Sequence, residues 1–592
     1  MWCSNCNKES MNDVCSACGQ NTQEEIPHIC FWCSECNSPI IVVKAGINSL
    51  ECPYCHTITK QHYEDMRPVF PEERLLLEYL LGYKPLTLAK SSIWSVNNKY
   101  LVDGEIVKLS SDIFTSLDVH HIIQFLALYD EVNRKESYPL FSALIDKFCV
   151  INDKWLKSIT SEALSWIHSV LLDPKYTGIN VMVSFSGGKD STVVSDLVTR
   201  AFGTPKVLHM FGDTTLEFPL TYEYIQKFRD THPYTPLRAI RNNDQKFHEV
   251  CKDIGPPARM MRWCCSMFKT GPITRKINQI CSDTSSVSLG NASRILTFYG
   301  IRKNESVSRS KYERIDGSNE VVKIQKQVVG SPIFFWKDID IWLYILANQI
   351  LFNDAYRLGY DRVGCWCCPN NSQRAQFLSR IYMPKESENW RNILLDFANK
   401  VGKPDPEVYV DEGWWKARQG GEGLIAASDV EIKYSNCTTE DNARVFQLTR
   451  EINDEFFSLF IPFGLIKQGR ASLEEKLVFD TKSTMPIISI IPFSQTEFLY
   501  SVKIRIMNVK NAEDLFRQVS YQIRKFNACR KCLKCESICK FGAISVSIEN
   551  GYQIDSKKCK HCKLCVNQKY LSDGCLMGKY LRVRGGYNET KV

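Results

Sequence analysis

A glycine-rich segment with a lysine, Ser186-Gly-Gly-Lys-Asp-Ser191, is the first candidate for chemistry in this sequence. Its glycines leave backbone N–H groups uncovered, Lys189 supplies an ammonium group, and the helix expected to begin here adds the positive end of its dipole. This combination binds phosphate. The spacing is not G-x-x-x-x-G-K, so we do not expect transfer of a γ-phosphate. The predicted nucleotide-binding residues of this loop are Ser186, Gly187, Gly188, Lys189, Asp190 and Ser191.

Charged residues also follow two further apolar runs of the sequence. Asp213 follows Val207–Phe211 and is placed to hold Mg²⁺ or to orient a ribose. The segment from Gly300 to Arg309 follows a third apolar run and offers two guanidinium groups suited to phosphate or sulfate. We expect electrostatic stabilisation of a charged phosphoryl group to be the main catalytic device. The predicted catalytic residues are Lys189, Asp213, Arg302 and Arg309, and Gly300 and Glu305 complete the predicted nucleotide site.

The 26 cysteines are grouped in ways that are typical of metal sites. The first residues do not show a basic segment leading into an apolar one, so we expect a cytoplasmic protein whose cysteines bind metals rather than form disulfides. Paired C-x2-C motifs near the N-terminus give two sets of four thiolates, which suit two tetrahedral zinc ions. The predicted zinc ligands are Cys3, Cys6, Cys15 and Cys18 in one set, and Cys33, Cys36, Cys52 and Cys55 in the other.

The C-terminal cysteines follow the pattern of a ferredoxin with two 4Fe–4S clusters, in which the fourth cysteine of each run binds the cluster of the other run. The last cysteine of the second run is spaced more widely than usual. The predicted ligands are Cys529, Cys532, Cys535 and Cys539, followed by Cys559, Cys562, Cys565 and Cys575.

The elements that must position the nucleotide site alternate between strand and helix from about Trp155 to Asn370. This alternation predicts a parallel α/β sheet with its ligand at the carboxyl ends of the strands. A chain of 592 residues is expected to form several domains. We predict a multidomain α/β protein with zinc ribbons at 1–26 and 27–66, a small α+β module at 67–150, the central parallel-sheet domain at 151–383, an α+β domain of unknown role at 384–526, and a ferredoxin-like domain at 527–592.

The composition argues against a membrane protein and excludes few other classes of protein. No apolar run reaches the ~18 residues that a membrane span requires. The formal charge is +8, but each zinc or 4Fe–4S centre with four thiolates contributes about −2. Five such centres would reverse the sign of the net charge, so the net charge does not indicate a nucleic-acid partner.

The segment Glu412–Gly421 combines aromatic, basic and glycine residues, and we interpret its Trp414 and Trp415 as a buried pair rather than a base-stacking surface.

Several elements together resemble the phosphoadenosine phosphosulfate (PAPS) reductase family, and the loop also resembles that of N-type ATP pyrophosphatases. They occur in the family's order between Trp155 and Asn371, and the resemblance implies a PP-loop fold (adenine nucleotide alpha hydrolase-like) that binds an adenine nucleotide with Mg²⁺. These elements are Ser-Gly-Gly-Lys-Asp-Ser, Asp213-Thr-x-x-x-Phe-Pro, Gly300-x-Arg-x-x-Glu-Ser-x-x-Arg309, Pro332-Ile-x-x-Trp336 with Asp340-x-Trp342, and Tyr356-x-x-Gly-x-x-Arg362-x-Gly-Cys365. Leu220 stands where the second element usually has a glutamate.

An internal cysteine set is similar to the ligand set of a 4Fe–4S cluster in adenylyl-sulfate reductases. Zinc is the alternative, although vicinal cysteines are an awkward chelate for a closed zinc site. The predicted ligands are Cys264, Cys265, Cys365 and Cys368, with Cys367 as the spare thiol. The expected cofactors are therefore two Zn²⁺ ions and up to three 4Fe–4S clusters.

Two enzymatic hypotheses follow from the resemblance. In the first, ATP is cleaved between the α- and β-phosphates, and sulfur is transferred to DNA, RNA or another acceptor. In the second, adenylyl sulfate or PAPS is reduced to sulfite. Reductases of this family carry a nucleophilic cysteine in a C-terminal Glu-Cys-Gly-Leu-His motif, which this sequence does not contain, and this favours the first. A non-catalytic nucleotide-binding scaffold is the third alternative. An adenine nucleotide and an electron donor protein are the other expected partners.

Overall fold

The computed structural model of the chain describes all residues except 1, 4–5, 7, 10–14, 21–23, 45–49, 98, 111–112, 286–293, 318–323, 325, 494–498, 568–570, 572–573, 584–588 and 592. A search of these described residues finds no helix with the length and apolar character needed to cross a membrane.

Short antiparallel strands and one helix form the N-terminal region. Strands β1 and β2 pair with each other, β3 to β6 form a sheet in the order β4-β3-β6-β5, and β7 to β10 form a third sheet in sequential order. The elements are β1 (Trp2–Cys3), β2 (Lys8–Glu9), β3 (His28–Cys33), β4 (Ser38–Val43), β5 (Leu50–Glu51), β6 (Ile58–Gln61), β7 (Arg67–Pro68), α1 (Pro71–Leu80), β8 (Ile93–Val96), β9 (Lys99–Val102) and β10 (Glu105–Val107).

Three helices lead into the central sheet, namely α2 (Ile113–Ser116), α3 (Val119–Ile151) and α4 (Asp153–Leu172). The side chain of Asp118 caps α3 by accepting a hydrogen bond from the His120 amide at 2.8 Å. The segment predicted as a small α+β module therefore contains a helix of 33 residues. His120 and His121 lie exposed in its first turn.

The central sheet has six strands in the order β13-β12-β11-β14-β16-β15, and all neighbours are parallel except the edge strand β15. The crossovers bury both faces, as the apolar runs require. The elements are β11 (Asn180–Ser184), α5 (Lys189–Phe202), β12 (Leu208–Asp213), α6 (Pro219–Thr231), β13 (Leu237–Arg241), α7 (Phe247–Ile254), α8 (Gly271–Ser285), β14 (Ile295–Phe298), β15 (Ile315–Asp316), β16 (Gln327–Gly330) and α9 (Asp338–Ala347).

The core of this sheet lies under its central strand, β11. Val183 of β11 pairs with His209 on one side and with Phe298 on the other, and all three side chains are fully buried. Helix α5 packs on the same core through Val193 and Leu197, which are also fully buried. The strand ends are therefore held rigidly, and the loops that follow them meet at one edge of the sheet. The predicted α/β architecture with a central parallel sheet is confirmed.

The remaining segments form a second large sheet and a small hairpin. Seven strands pair in the order β19-β20-β21-β22-β18-β17-β25. Strand β25 joins this sheet parallel to β17, across the predicted boundary at residue 526. The elements are α10 (Gln373–Tyr382), α11 (Pro384–Lys400), α12 (Pro406–Asp411), α13 (Ile425–Ser428), β17 (Ile432–Asn436), β18 (Ala443–Gln447), α14 (Asp454–Ser458), β19 (Leu465–Gln468), β20 (Lys476–Phe479), β21 (Pro486–Phe493), β22 (Ser501–Ile506), α15 (Ala512–Ala528), α16 (Lys534–Ile538), β23 (Ile544–Ser547), β24 (Gly551–Ile554), α17 (Leu576–Leu581) and β25 (Glu589–Lys591).

Candidate nucleotide site and cysteine sets

The predicted phosphate loop connects β11 to α5. Gly187 has a φ of 74°, a left-handed conformation that favours glycine. The Ser191 hydroxyl closes the loop, because it accepts a hydrogen bond from the Ser186 amide at 3.1 Å and donates one to the Gly188 carbonyl at 2.8 Å. The Lys189 amide donates to the Tyr356 hydroxyl at 3.0 Å. The loop is therefore held in shape by its own hydroxyl groups and by Tyr356.

Two buried cations and two carboxylates meet beside this loop. Lys189 Nζ lies 3.4 Å from an oxygen of Asp190 and 3.2 Å from one of Asp338. Arg302 Nε and Nη2 donate to the same two carboxylates at 2.5 and 2.6 Å. Burial opposes the charge on Asp190, but Arg302 and Lys189 outweigh it and lower the pKa of Asp190 to about 2. Burial likewise opposes the charge on Lys189, and Asp190 and Asp338 raise its pKa above the usual value. Lys189, Arg302 and Asp190 are thus charged at neutral pH.

Gly300 lets the next strand-end loop approach the start of α5. A Cβ atom at Gly300 would lie 2.7 Å from the carbonyl carbon of Asp190 and 2.8 Å from the amide nitrogen of Ser191. Both are backbone atoms, which do not move aside easily. This close approach brings Arg302 within reach of Asp190.

The last two predicted members of the segment from Gly300 to Arg309 bond mainly to their own loop. Glu305 accepts a hydrogen bond from the Arg302 amide at 3.2 Å and forms an ion pair with Arg309. Burial and the nearby guanidinium of Arg362 both lower the pKa of Arg309. Arg309 and Arg362 therefore form a second cationic pair beside Lys189 and Arg302.

Asp213 lies at the end of β12, as predicted, but its carboxylate is already engaged. It accepts hydrogen bonds from Arg241 at 2.5 and 3.0 Å, from the Tyr222 hydroxyl at 2.9 Å and from the Thr215 amide at 2.9 Å. A role as a Mg²⁺ ligand would require Arg241 to move away. In this arrangement Asp213 anchors the loop that follows β12.

Sequence reasoning missed three residues of this site. Asp338 was not selected because its partners, Lys189 and Arg302, are distant in the chain. Asp65 accepts hydrogen bonds from the amides of Asp338 and Ile339 at 3.1 and 3.0 Å and so caps α9 from the N-terminal region. Arg362 belongs to one of the sequence elements that resemble the PAPS reductase family, and this resemblance could have identified it as a site residue.

The two N-terminal cysteine sets are each brought together. Within each set, all four sulfur atoms lie within 4.8 Å of one another. The Sγ atoms of Cys33 and Cys55 are 3.3 Å apart, and those of Cys36 and Cys52 are 3.8 Å apart. Four sulfurs at about 2.3 Å from one ion would be separated by about 3.8 Å in a tetrahedron. The donor sets therefore fit zinc, and no disulfide joins the cysteines of the described residues.

The C-terminal cysteines assemble in the crossed arrangement of the ferredoxin pattern. One cavity is lined by Cys539 of the first run together with Cys559, Cys562 and Cys565 of the second. Burial, together with the neighbouring thiols of Cys529 and Cys535, raises the pKa of Cys575 to about 11. A 4Fe–4S cluster is held by four cysteine thiolates. The residues present thus fit two clusters.

The internal cysteine set lies next to the nucleotide site. The Thr214 hydroxyl is 3.5 Å from Cys365 Sγ, and the Trp366 amide donates to the Leu216 carbonyl at 2.9 Å. Lys189 Nζ donates to the Asp361 carbonyl at 3.3 Å, so the segment that contacts the phosphate loop leads four residues later to Cys365. Cys265 opens a π-helical turn that ends at Thr270, a distortion common at functional sites.

Cys264 and Cys265 face the other half of the internal set. The hydrogen bond with Cys265 and then burial raise the pKa of Cys264, with further contributions from the thiols of Cys365 and Cys367. Cys367, the predicted spare, is buried. The four predicted ligands thus come from two facing segments, which fits a cluster that bridges them.

The first ferredoxin run packs against this internal set. Cys264, Cys365 and Cys367 share one apolar cluster with Cys532 and Cys575. Helix α16 is fixed to α8 by an ion pair between Arg275 and Glu536 at 2.9 Å and by a hydrogen bond from Thr274 to Ser537 at 3.3 Å.

The fold and this loop define a parallel-sheet α/β domain with a glycine-rich loop between β11 and α5. Residues 180–371 match the phosphoadenosine phosphosulfate reductase domain, and the resemblance noted in the sequence is confirmed.

Known proteins share parts of this chain. It is 34% identical to an uncharacterized protein of Methanocaldococcus jannaschii over 236 residues, which are 40% of this chain and 45% of that protein. It is 25% identical to the adenosine 5'-phosphosulfate reductase of Oceanobacillus iheyensis over 210 residues, 35% of this chain and 76% of the relative. The chain thus spans less than half the length of the first of these relatives.

A solved structure of phosphoadenylyl-sulfate reductase from Candida auris, in complex with phosphate, aligns with a TM-score of 0.27 and 19% identity, over 36% of this chain and 94% of that chain. At this level of similarity, the strand order remains the evidence for the fold.

Proposed function

We propose that this protein is an adenine-nucleotide-dependent iron–sulfur enzyme of sulfur metabolism that cleaves ATP between its α- and β-phosphates and transfers sulfur to a nucleic-acid acceptor. The observation that carries the proposal is the segment from Tyr356 to Cys365. Lys189 donates to the Tyr356 hydroxyl at 3.0 Å and to the Asp361 carbonyl at 3.3 Å, and Cys365 follows four residues later. A nucleotide bound by Lys189 and Arg302 would thus lie close to the internal cysteines.

The proposed reaction has two steps. An acceptor oxygen attacks the α-phosphorus of ATP, and pyrophosphate leaves. The outer sulfur of a persulfide then attacks the acceptor carbon or phosphorus and displaces AMP, which carries away the acceptor oxygen. A thiol finally attacks the remaining S–S bond, which leaves the sulfur on the acceptor and joins the thiol to the donor sulfur as a disulfide. Lys189, Arg302 and Arg309 would stabilise the charge that builds up on the phosphate oxygens. When bound, the iron–sulfur clusters would supply sulfur or electrons, and a separate electron donor protein would reduce them.

Reduction of adenylyl sulfate or PAPS to sulfite is the second candidate. It is supported by the adenosine 5'-phosphosulfate reductases among the relatives. The Glu-Cys-Gly-Leu-His motif that would supply the attacking thiol is missing from the sequence, which favours sulfur transfer.

The decisive experiment uses anaerobically prepared full-length protein with bound metal. Pyrophosphate release from ATP is measured with and without RNA or DNA, and sulfite release is measured from adenylyl sulfate and PAPS with a chemical reductant. We expect pyrophosphate release that depends on acceptor and is lost in Lys189→Met. Release of sulfite without release of pyrophosphate would support the reduction of adenylyl sulfate or PAPS. Neither product, together with nucleotide binding that survives Lys189→Met, would point to the non-catalytic scaffold.

A further inference from the structure

An exposed surface with basic and aromatic side chains borders the internal cysteine set. We call it the Trp414 surface and define it by Arg259, Met260, Arg262, Arg362 and Trp414. Trp414 is 58% exposed and Met260 is 67% exposed, and the three arginines are exposed as well. Single exposed apolar residues need no explanation, but here two of them lie among three guanidinium groups.

Backbone contacts join the parts of the Trp414 surface. The Arg259 amide donates to the Lys416 carbonyl at 2.9 Å, and Arg259 Nε donates to the Pro369 carbonyl at 3.4 Å. The turn that presents Arg259 and Met260 is therefore fixed both to the turn that presents Trp414 and to the residue after Cys368. Lys416 braces this junction, because its ammonium donates to the Asn371 carbonyl at 3.2 Å.

The tryptophans at 414 and 415 have opposite environments. Trp415 is 2% exposed and packs against the ring of Trp390, with centroids 5.6 Å apart. Trp414 lies on the other side of the same short turn and faces solvent. The prediction of a buried pair is therefore wrong for Trp414, because adjacent side chains on a 3₁₀ turn point in different directions.

The positive charge of the Trp414 surface is not neutralised by ion pairs within the surface. Arg262 and Arg362 form no ion pair with any described residue. Exposed arginines elsewhere do find partners, as Arg391 does with Asp411 at 2.8 Å. Arg362 lies close enough to Arg309 to lower its pKa, so the positive charge continues from the nucleotide site to the Trp414 surface.

We propose that the Trp414 surface binds the acceptor as a single-stranded nucleic acid, with one base stacked on Trp414 and the phosphates held by Arg259 and Arg262. This inference rests on the proposed function. A positively charged groove with an exposed aromatic ring is the usual means of binding single strands without strong sequence preference. An acidic protein would also be attracted by the arginines, but it would not require a planar ring at position 414.

The test measures binding of labelled 12-nucleotide RNA and DNA of one sequence to the full-length holoprotein by fluorescence anisotropy at several salt concentrations. We expect Trp414→Ala to weaken binding about 10- to 100-fold, because stacking on an aromatic ring contributes that much per base. Trp414→Phe should retain most of the affinity. Arg259→Ala should lower the slope of log affinity against log salt by about 0.7. The RNA and DNA arms identify which acceptor is preferred.

Two exposed residues at the amino edge of the sheet provide matched controls. Tyr234, 74% exposed, and the exposed Arg238 lie just before and within β13. Tyr234→Ala and Arg238→Ala should leave binding unchanged within about twofold. Equal binding by Trp414→Ala and Tyr234→Ala would overturn the inference, and so would a wild-type protein that binds neither oligonucleotide.

Nucleotide turnover measured on the same preparations separates this inference from the proposed function. Trp414→Ala should still bind ATP, because its side chain lies outside the nucleotide site. Oligonucleotide binding that depends on Trp414 without pyrophosphate release would overturn the proposed reaction and support the surface. Pyrophosphate release that oligonucleotide stimulates equally in the wild type and in Trp414→Ala would overturn the surface alone.

Discussion

Asp338 is expected to hinder phosphate binding, because its carboxylate occupies the two cations that phosphate would use. It lies 3.2 Å from Lys189 Nζ and 2.6 Å from Arg302 Nη2. We predict that Asp338→Asn binds pyrophosphate and nucleotide more tightly than the wild type. The same change should lower stability, because Lys189 and Arg302 then share the single carboxylate of Asp190.

The magnitude follows from the distances. A phosphate held by Lys189 and Arg302 would lie roughly 5 Å from the Asp338 carboxylate, and two like charges at that distance repel by about 3 kcal/mol at an effective dielectric constant of about 20. The Asp338 side chain is 21% exposed and is able to turn toward water. We therefore expect about half of this energy, which corresponds to roughly tenfold tighter binding.

The assay is displacement of a fluorescent ATP analogue by inorganic pyrophosphate, measured with and without Mg²⁺. Asp196→Asn is the matched control, because Asp196 lies on α5 with Lys189 but pairs with Arg200 at 3.7 Å, away from the loop. Pyrophosphate affinity that is unchanged or weaker in Asp338→Asn without Mg²⁺ would refute the reasoning. A loss confined to the Mg²⁺ condition would instead assign Asp338 to the metal.

Three further predictions concern the packing, the titration and the metals of the chain. Gly300→Ala should lower the free energy of unfolding by about 1–3 kcal/mol and weaken nucleotide binding, since its Cβ would meet the backbone of Asp190 and Ser191; thermal unfolding with and without ATP checks this. Burial and Asp338 raise the pKa of Asp65 from 3.8 to about 6, so the folded state binds more protons than the unfolded state between these values. Wild-type stability should therefore fall, relative to Asp65→Asn, by up to about 3 kcal/mol as pH rises from about 4 to 7, and equal pH profiles in denaturant titrations would contradict this. Metal analysis should give about two zinc and about twelve iron atoms per chain, and iron near eight would indicate that the internal set holds no cluster.

Local chemistry made the centre of the site predictable from the sequence. The apolar strand, the glycines and the start of α5 are all contained in Asn180–Phe202, so the loop could be placed before its surroundings were known. The C-x2-C knuckles were predictable for the same reason, since each pair of ligands is set by one short turn. In the ferredoxin pattern, Cys539 lies with Cys559 and Cys562, as the spacing indicated.

Contacts between distant segments could not be predicted in this way. Asp65 and Asp338 are 273 residues apart, and nothing in the spacing of either residue indicates the other. The exposure of Trp414 could not be predicted either, because residue type alone predicts burial for both Trp414 and Trp415. Whether such a side chain faces the core depends on the direction of one turn, which tertiary packing decides.

The N-terminal zinc-type set and the phosphate site are parts of one folded unit. Strand β3 has Cys33 at one end and His28 at the other, and His28 contacts the buried carboxylate of Asp340 at 3.1 Å while its carbonyl accepts a hydrogen bond from Lys337 Nζ at 2.8 Å. Asp65 then caps the first turn of the same helix, α9. Separating these elements would leave buried polar groups without partners, which is costly. Since α9 begins at Asp338, the hairpin that the cysteines fix also determines where the carboxylate facing Lys189 lies.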